Sequence, residues 1–203
     1  MAKSSAGKQT GWQKALASAG IDAVTDALES RGWTVLPTVD APLSDNVDLH
    51  IINGEREAQL AVTATNRYGW VSGGSVTESV RDGAPIVNRA AAPQAQADFL
   101  VLATPARPVG KRETPDDWRF FILPAVEAES AFRRIVDAVI NRPRADGSPR
   151  EAVGPIMGFV GPHADSDGEQ EPATMAEKND QMDRFAPYES AFAALDRFRP
   201  PQA

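Results

Sequence analysis

The chain has 203 residues, no cysteine and two histidines, which excludes disulfide frameworks and thiolate metal sites and disfavours a histidine-rich zinc site. Its net charge of −7 arises mainly in the C-terminal quarter: residues 1–150 carry 17 basic and 18 acidic side chains, whereas residues 151–203 carry 4 and 10. A near-neutral body neither favours nor excludes nucleic-acid binding. Because the sequence shows no signal peptide and no apolar run of membrane-spanning length, we expect a soluble cytoplasmic protein without a membrane partner.

The first predicted element is a helix. From Gly11 onward, apolar residues recur at three- and four-residue spacing, and Gly32 supplies a stop signal after the last turn. The residues from Trp33 to Leu36 then have the composition of a short strand, which ends at Pro37. The predicted domain therefore opens with a helix and a strand.

The stretch from Val47 to Thr65 predicts a β-hairpin. Alternating residues flank Asn53-Gly54, a pair that tolerates the positive φ angles of a type I′ turn. Because side chains alternate across a strand, one face of the hairpin is apolar and the other is mostly polar. The second face, called here the polar hairpin face, carries Asp48, His50, Glu57, Gln59, Ala61 and Thr63. A two-residue loop at Asn53-Gly54 places Asp48 opposite Gln59 and His50 opposite Glu57.

The later segments predict two more strands and two more helices. Asp98–Thr104 is a continuous apolar run typical of a buried central strand, and Trp118–Leu123 is a second strand. Helices are predicted from Val126 to Asn141 and from Pro187 to Phe198. The apolar side of the last helix consists of Tyr188, Phe192 and Leu195. We expect that side to pack on the domain, and the order of the elements predicts a mixed α/β architecture.

Three regions have weaker patterns. Asn66–Pro85 is rich in Gly and Ser, and only Tyr68–Val71 indicates an edge strand there. Pro105–Pro115 is a basic loop. Residues 143–184 are rich in Pro, Gly, Asp and Glu, a composition typical of a loop or disordered segment, and contain one apolar island at Val153–Val160.

Several of these segments resemble the PD-(D/E)XK, or restriction-endonuclease-like, nuclease superfamily. The pattern Gly20, Val24, Leu28, Gly32 followed by Trp33-Thr34-Val35 is similar to the first helix and strand of that family. Asp48 in VDLHII resembles the aspartate of its second strand, and AQLAVTATN, DFLVLAT and RFFILPAVEAE resemble its later strands and closing helix. The likeness covers roughly residues 19–140. It implies a restriction-endonuclease-like mixed sheet flanked by helices. The order of the elements and the composition divide the chain into a flexible leader (1–15), this domain (16–142), the acidic segment (143–184) and a C-terminal helix (185–203).

The sequence departs from that family where the chemistry resides. In the register favoured here, the acidic residue and the lysine of the family signature fall on Ala61 and Thr63. A shift by two residues recovers Gln59 but still lacks the lysine. An active member needs acidic groups to hold Mg²⁺ and a lysine to orient the attacking water. The resemblance therefore implies a degenerate, non-catalytic member of the family that uses no cofactor. If the chain is catalytic, the resemblance implies Mg²⁺ as its cofactor.

Three functional hypotheses follow. The first is a non-catalytic accessory module from a phage or mobile element. It contacts nucleic acid through Arg107, Lys111 and Arg112, or it binds a protein partner. The second is an active nuclease with migrated ligands, for which the candidates are Asp48 as metal ligand together with Glu57 and Gln59; His50 could join Asp48 and Glu57 in a divalent-ion site. The third is an interaction protein that works through its acidic tail and terminal helix. Homo-oligomerisation is compatible with each.

Overall fold

The computed structural model describes residues 10–36, 47–66, 69–81, 84–89, 97–107, 109–110, 112–131, 153–159 and 183–198. Helix α1 spans Gly11–Glu29 and begins with a capping box, in which Thr10 and Gln13 bond each other's backbone N–H groups. The chain leaves the helix through Gly32, whose φ of 83° suits a residue without a Cβ. Among the described residues, no helix has the length and apolar character that crossing a membrane requires.

A five-stranded mixed sheet forms the body of the fold. Its strands are β1 (Thr34–Leu36), β2 (Leu49–Asn53), β3 (Arg56–Ala64), β6 (Phe99–Pro105) and β7 (Trp118–Pro124). They lie in the order β1-β2-β3-β6-β7, with β3 and β6 parallel and all other neighbours antiparallel. The predicted α/β class with a mixed sheet and flanking helices is confirmed.

One hydrophobic cluster lies between α1 and one face of this sheet, and Leu100, Leu102, Phe121 and Leu123 are buried on the opposite face. Buried side chains come from alternate positions of four strands, because alternate residues of a strand point to the same face. They include Leu49, Ile51, Ala58, Leu60, Phe99, Val101, Ala103 and Ile122, packed against Val24 and Leu28 of α1. Gly20 lets the helix approach closely, since a Cβ at this position would overlap the Cβ of Ala64. Helix α1 therefore crosses β3 near the carboxyl end of that strand and continues toward the amino end of the strand.

The hairpin has the predicted faces but a different turn. Its central residues are Gly54 and Glu55, because Asn53 pairs with Arg56. Gly54 has φ 64° and Glu55 does not have a positive φ, which matches a type II′ turn rather than type I′. The predicted opposite pairs were therefore wrong by two residues. His50 lies opposite Gln59, and Glu57 lies opposite Ile52.

A second, three-stranded sheet was not predicted. Its strands are β4 (Gly69–Arg81), β5 (Ala84–Arg89) and β8 (Val153–Phe159), in the order β5-β4-β8. The Gly- and Ser-rich composition of β4 masks its strand character, and its partner β8 lies far away in sequence within the segment predicted as an acidic loop. Local pattern carries little information about such a distant pairing.

The predicted C-terminal helix is interrupted. A 3₁₀ turn at Ala186–Tyr188 is followed by Glu189, which forms a β-bridge with Phe121, and by Ser190 with φ 52°. Only Ala193–Arg197 then forms an α-helix, and Phe192 and Leu195 are buried in the core. Of the helix predicted at Val126–Asn141, residues 125–131 are helical and the remainder lies outside the described residues.

Candidate functional site

The carboxylate of Asp48 accepts a backbone hydrogen bond from the neighbouring strand. Asp48 Oδ2 lies 2.7 Å from the amide nitrogen of Val62, and the Asp48 N–H donates to the carbonyl of Leu60 at 2.9 Å. Burial raises the pKa of Asp48 above its ordinary value, and the Val62 N–H acts in the opposite direction. The aspartate thus ties the start of β2 to β3.

The structure brings His50 and Glu57 together. His50 Nε2 lies 2.6 Å from Glu57 Oε1, across a diagonal of the hairpin. His50 is only 8% exposed, whereas the Glu57 side chain is largely exposed. Within the described part of the chain the buried Nδ1 of His50 has no hydrogen-bond partner. The pair is a charge-assisted contact at the edge of the polar hairpin face.

The two positions next to Asp48 on β3 carry no ionisable group. Continuing the β2–β3 register by one residue places Asp48 opposite Ala61, which is 6% exposed, and Thr63 is two residues further along the same face. A methyl group offers neither charge nor lone pair, and a threonine hydroxyl cannot replace an ammonium group. Across all residues that the structure describes, no three His, Cys, Asp or Glu side chains form a group able to hold a metal ion.

Gln59 leads to an aspartate that the sequence reasoning missed. Its amide N–H donates to Oδ2 of Asp98 at 2.8 Å, and the Asp98 N–H donates back to the Gln59 carbonyl at 2.8 Å. Asp98 directly precedes β6, as Asp48 directly precedes β2. The signal available in the sequence was an aspartate at the entrance of a buried strand, a position where backbone N–H groups need acceptors.

The α1 residues Asp22 and Asp26 do not face Asp48. Asp22 and Asp26 are exposed on a helix that packs on the apolar face of the sheet. Asp48 shares the opposite face with His50, because the two residues are separated by two positions in an extended segment. The helix therefore adds no carboxylate to the polar hairpin face.

The basic loop is anchored at the carboxyl ends of the two parallel strands. The side-chain amide of Asn66, a buried residue just after β3, donates to the carbonyl of Gly110 at 2.9 Å. The Gly110 N–H in turn donates to Oε2 of Glu113 at 2.9 Å, which closes the turn. Ligands of open α/β sheets bind preferentially at the carboxyl ends of parallel strands. The loop is thus held at an edge where binding sites are common.

The basic side chains of this loop project into solvent. The Arg107 side chain is 80% exposed, with its guanidinium 3.9 Å from the carboxylate of Asp117, and Arg112 is also exposed. Such groups can contact phosphate, although Glu113 in the loop and Asp117 just after it reduce the local positive charge. Lys111 and His163 lie outside the described residues.

Neither a protein-family model nor a curated protein matches the chain. Among solved structures, a bacterial homing endonuclease, I-Ssp6803I, is similar with a TM-score of 0.43 and 13% identity over 90% of this chain and 91% of that chain. MepB is similar with a TM-score of 0.27 and 10% identity over 70% of this chain and 74% of that chain. Both TM-scores are low, so the functional interpretation rests on the geometry of this chain.

Proposed function

We propose that this chain is a non-catalytic, nucleic-acid-binding accessory module built on a nuclease-like mixed sheet. The observation that carries the proposal is the surroundings of Asp48: Ala61 lies opposite it, Thr63 lies beyond, and its own Oδ2 bonds the backbone of β3. A metal-dependent nuclease must hold a divalent ion with several oxygen ligands and position a nucleophilic water. The side chains around Asp48 provide one carboxylate for that task.

A nucleic-acid cleavage assay tests whether the chain is non-catalytic. Purified protein is incubated with Mg²⁺ or Mn²⁺ and with plasmid, single-stranded DNA or RNA, and we expect no cleavage above the buffer control. The variants Asp48→Asn and Gln59→Ala are assayed in parallel. Cleavage by the parent chain that either variant abolishes would overturn the proposal in favour of a Mg²⁺-dependent nuclease with Asp48, Glu57 and Gln59 as its ligands.

The binding role is supported by the position of the basic loop, held at the carboxyl ends of β3 and β6 by Asn66. Phosphate contacts by Arg107 and Arg112 would be electrostatic, so the affinity should fall steeply with salt. Removal of one phosphate contact should also reduce the slope of log affinity against log salt by about 1.

Fluorescence anisotropy with labelled DNA and RNA measures this affinity. We expect Arg107→Ala and Arg112→Ala each to weaken binding several-fold and to flatten the salt dependence. Arg56→Ala is the matched control, because Arg56 is an exposed arginine at the amino end of β3, the opposite end of the same strand. Equal losses in all three variants, or no binding at all by the parent chain, would contradict the proposal and direct attention to a protein partner.

A further inference from the structure

The C-terminal segment, residues 183–198, is held on the body by a compact set of contacts. The guanidinium of Arg119 donates two hydrogen bonds of 2.7 Å to the carboxylate of Glu189. Next to this ion pair, Glu189 forms its bridge with Phe121, and the Ser190 N–H donates to the carbonyl of Phe120 at 2.8 Å. The segment thus extends the β7 edge of the sheet by a short backbone pairing.

Aromatic side chains complete the contact. The guanidinium of Arg31 lies 3.9 Å above the ring of Phe192, and that ring meets Phe120 edge-on at 6.1 Å. The ring of Phe198 meets Phe99 edge-on at 5.0 Å. Arg31, Phe99, Arg119, Phe120 and the backbone of Phe121 form the docking groove. Its lining combines an apolar floor with two cationic side chains.

The segment depends on the groove for its structure. Its helix has five residues and no side-chain N-cap, which is too short to be stable in water on its own. The groove also depends on the segment, because an empty groove would expose the apolar side chains that Phe192 and Leu195 now cover. Occupation of the groove is therefore energetically favoured.

Nothing in these contacts requires the occupant to belong to the same chain. Residues 160–182 connect β8 to the segment, and an extended chain of that length reaches about 75 Å. A folded chain of this size has a radius of gyration of about 17 Å, so the connection can span to the equivalent groove of a neighbouring copy. Exchange of an identical element between copies costs little, because the same contacts are formed in both arrangements.

We propose that the C-terminal segment is an exchangeable docking element and that the docking groove accepts the same segment from a second copy of this chain. Docking within one chain is favoured at low concentration, because it does not depend on an encounter between two molecules. Exchange becomes substantial only as the protein concentration rises. It also becomes substantial when pairing within one chain is weakened relative to pairing between chains.

A charge-reversal pair tests the proposal on the full chain. Arg119→Glu and Glu189→Arg each place like charges within one chain, but reciprocal exchange between the two variants restores opposite charges at both grooves. We expect each variant alone to have the mass of one chain by light scattering, and the mixture to give a heterodimer. The double variant R119E/E189R restores the pair within one chain and should be monomeric. A mixture of folded variants that stays monomeric would overturn the proposal.

A second measurement decides the question if a charge-reversed variant fails to fold. The chain has no cysteine, so Arg119→Cys and Glu189→Cys introduce single thiols, and a short thiol cross-linker joins them only between chains. The mixed pair retains one intact Arg119–Glu189 contact after exchange, whereas neither variant retains it within its own chain. In an equimolar mixture, random collision gives about twice as much heterodimer as each homodimer, so we expect the cross-linked heterodimer to exceed that ratio. Yields in the random ratio would overturn the proposal.

Discussion

Asp48 and Asp98 precede the two strands that flank β3, and each uses its carboxylate to accept a backbone N–H of β3. The two contacts fix the central strand from both sides at Val62 and Gln59. These two N–H groups of β3 lie beside the points where β2 and β6 begin. Without the carboxylates they would lack a partner, at a cost of about 1–3 kcal/mol each. At the scale of single residues, the feature that first indicates catalysis therefore has a structural explanation of its own.

The stability contribution of Asp48 should depend on pH. Burial raises its pKa in the folded state above the ordinary value of 3.8, so the folded chain binds this proton more tightly than the unfolded chain. The favourable contribution is then fully present below pH 3.8 and is lost as the pH rises through the folded-state pKa. Asp48→Asn keeps an oxygen acceptor for Val62 without a charge, so it should be at least as stable as the parent at pH 7.

Urea unfolding of both chains over a pH series checks this. The stability difference between Asp48→Asn and the parent should shrink as the pH falls toward and below 3.8. Asp48→Ala removes the acceptor as well and should be about 1–3 kcal/mol less stable than Asp48→Asn. A parent chain that is more stable than Asp48→Asn at pH 7 would show that the negative charge itself is favourable there.

At the scale of elements, the packing of α1 on the sheet depends on Gly20. A Cβ there would meet the Cβ of Ala64, so Gly20→Ala should force the helix outward and cost about 1–3 kcal/mol, more than the helix-propensity gain of up to about 1 kcal/mol. Gly11→Ala is the matched control, since nothing lies within 4 Å of a Cβ at that position. Thermal unfolding of the two variants measures the difference. Equal melting temperatures would contradict the close approach.

The hairpin turn supplies a second test at this scale. Because Gly54 is the only residue of the hairpin turn with a positive φ, Gly54→Ala should cost about 1–2 kcal/mol, whereas Asn53→Ala should have a much smaller effect. The predicted type I′ turn required a positive φ at Asn53 as well, so the two turns differ in which substitution is costly. Denaturant unfolding of both variants distinguishes them. A large loss for Asn53→Ala would favour the turn centred on Asn53-Gly54.

At the scale of the whole molecule, local patterns predicted the elements whose side chains segregate by face. The spacing of Val24 and Leu28 predicted α1, and the alternation around Ile51 and Leu60 predicted the hairpin faces, because burial of one face fixes such patterns. Distant pairings were not predictable in this way. Strand β4 pairs with β8, which places Trp70 opposite Gly158, far away in sequence. The predicted C-terminal helix is interrupted at Ser190, next to the bridge between Glu189 and Phe121.

The same distinction bears on whether the C-terminal segment folds with the body or independently of it. Leu195 is fully buried in the core that also contains Trp33, so Leu195→Ala should lower the free energy of unfolding of the whole domain by about 2–5 kcal/mol. Val126→Ala is the control, because Val126 is 70% exposed and its truncation should change little. Urea unfolding followed by tryptophan fluorescence and by far-ultraviolet circular dichroism should give coincident transitions, both shifted in Leu195→Ala. A fluorescence transition left unchanged by Leu195→Ala would instead mean that the segment detaches before the body unfolds. In that case the groove would be emptied at little cost to the sheet, and the segment would be bound less tightly than its burial indicates.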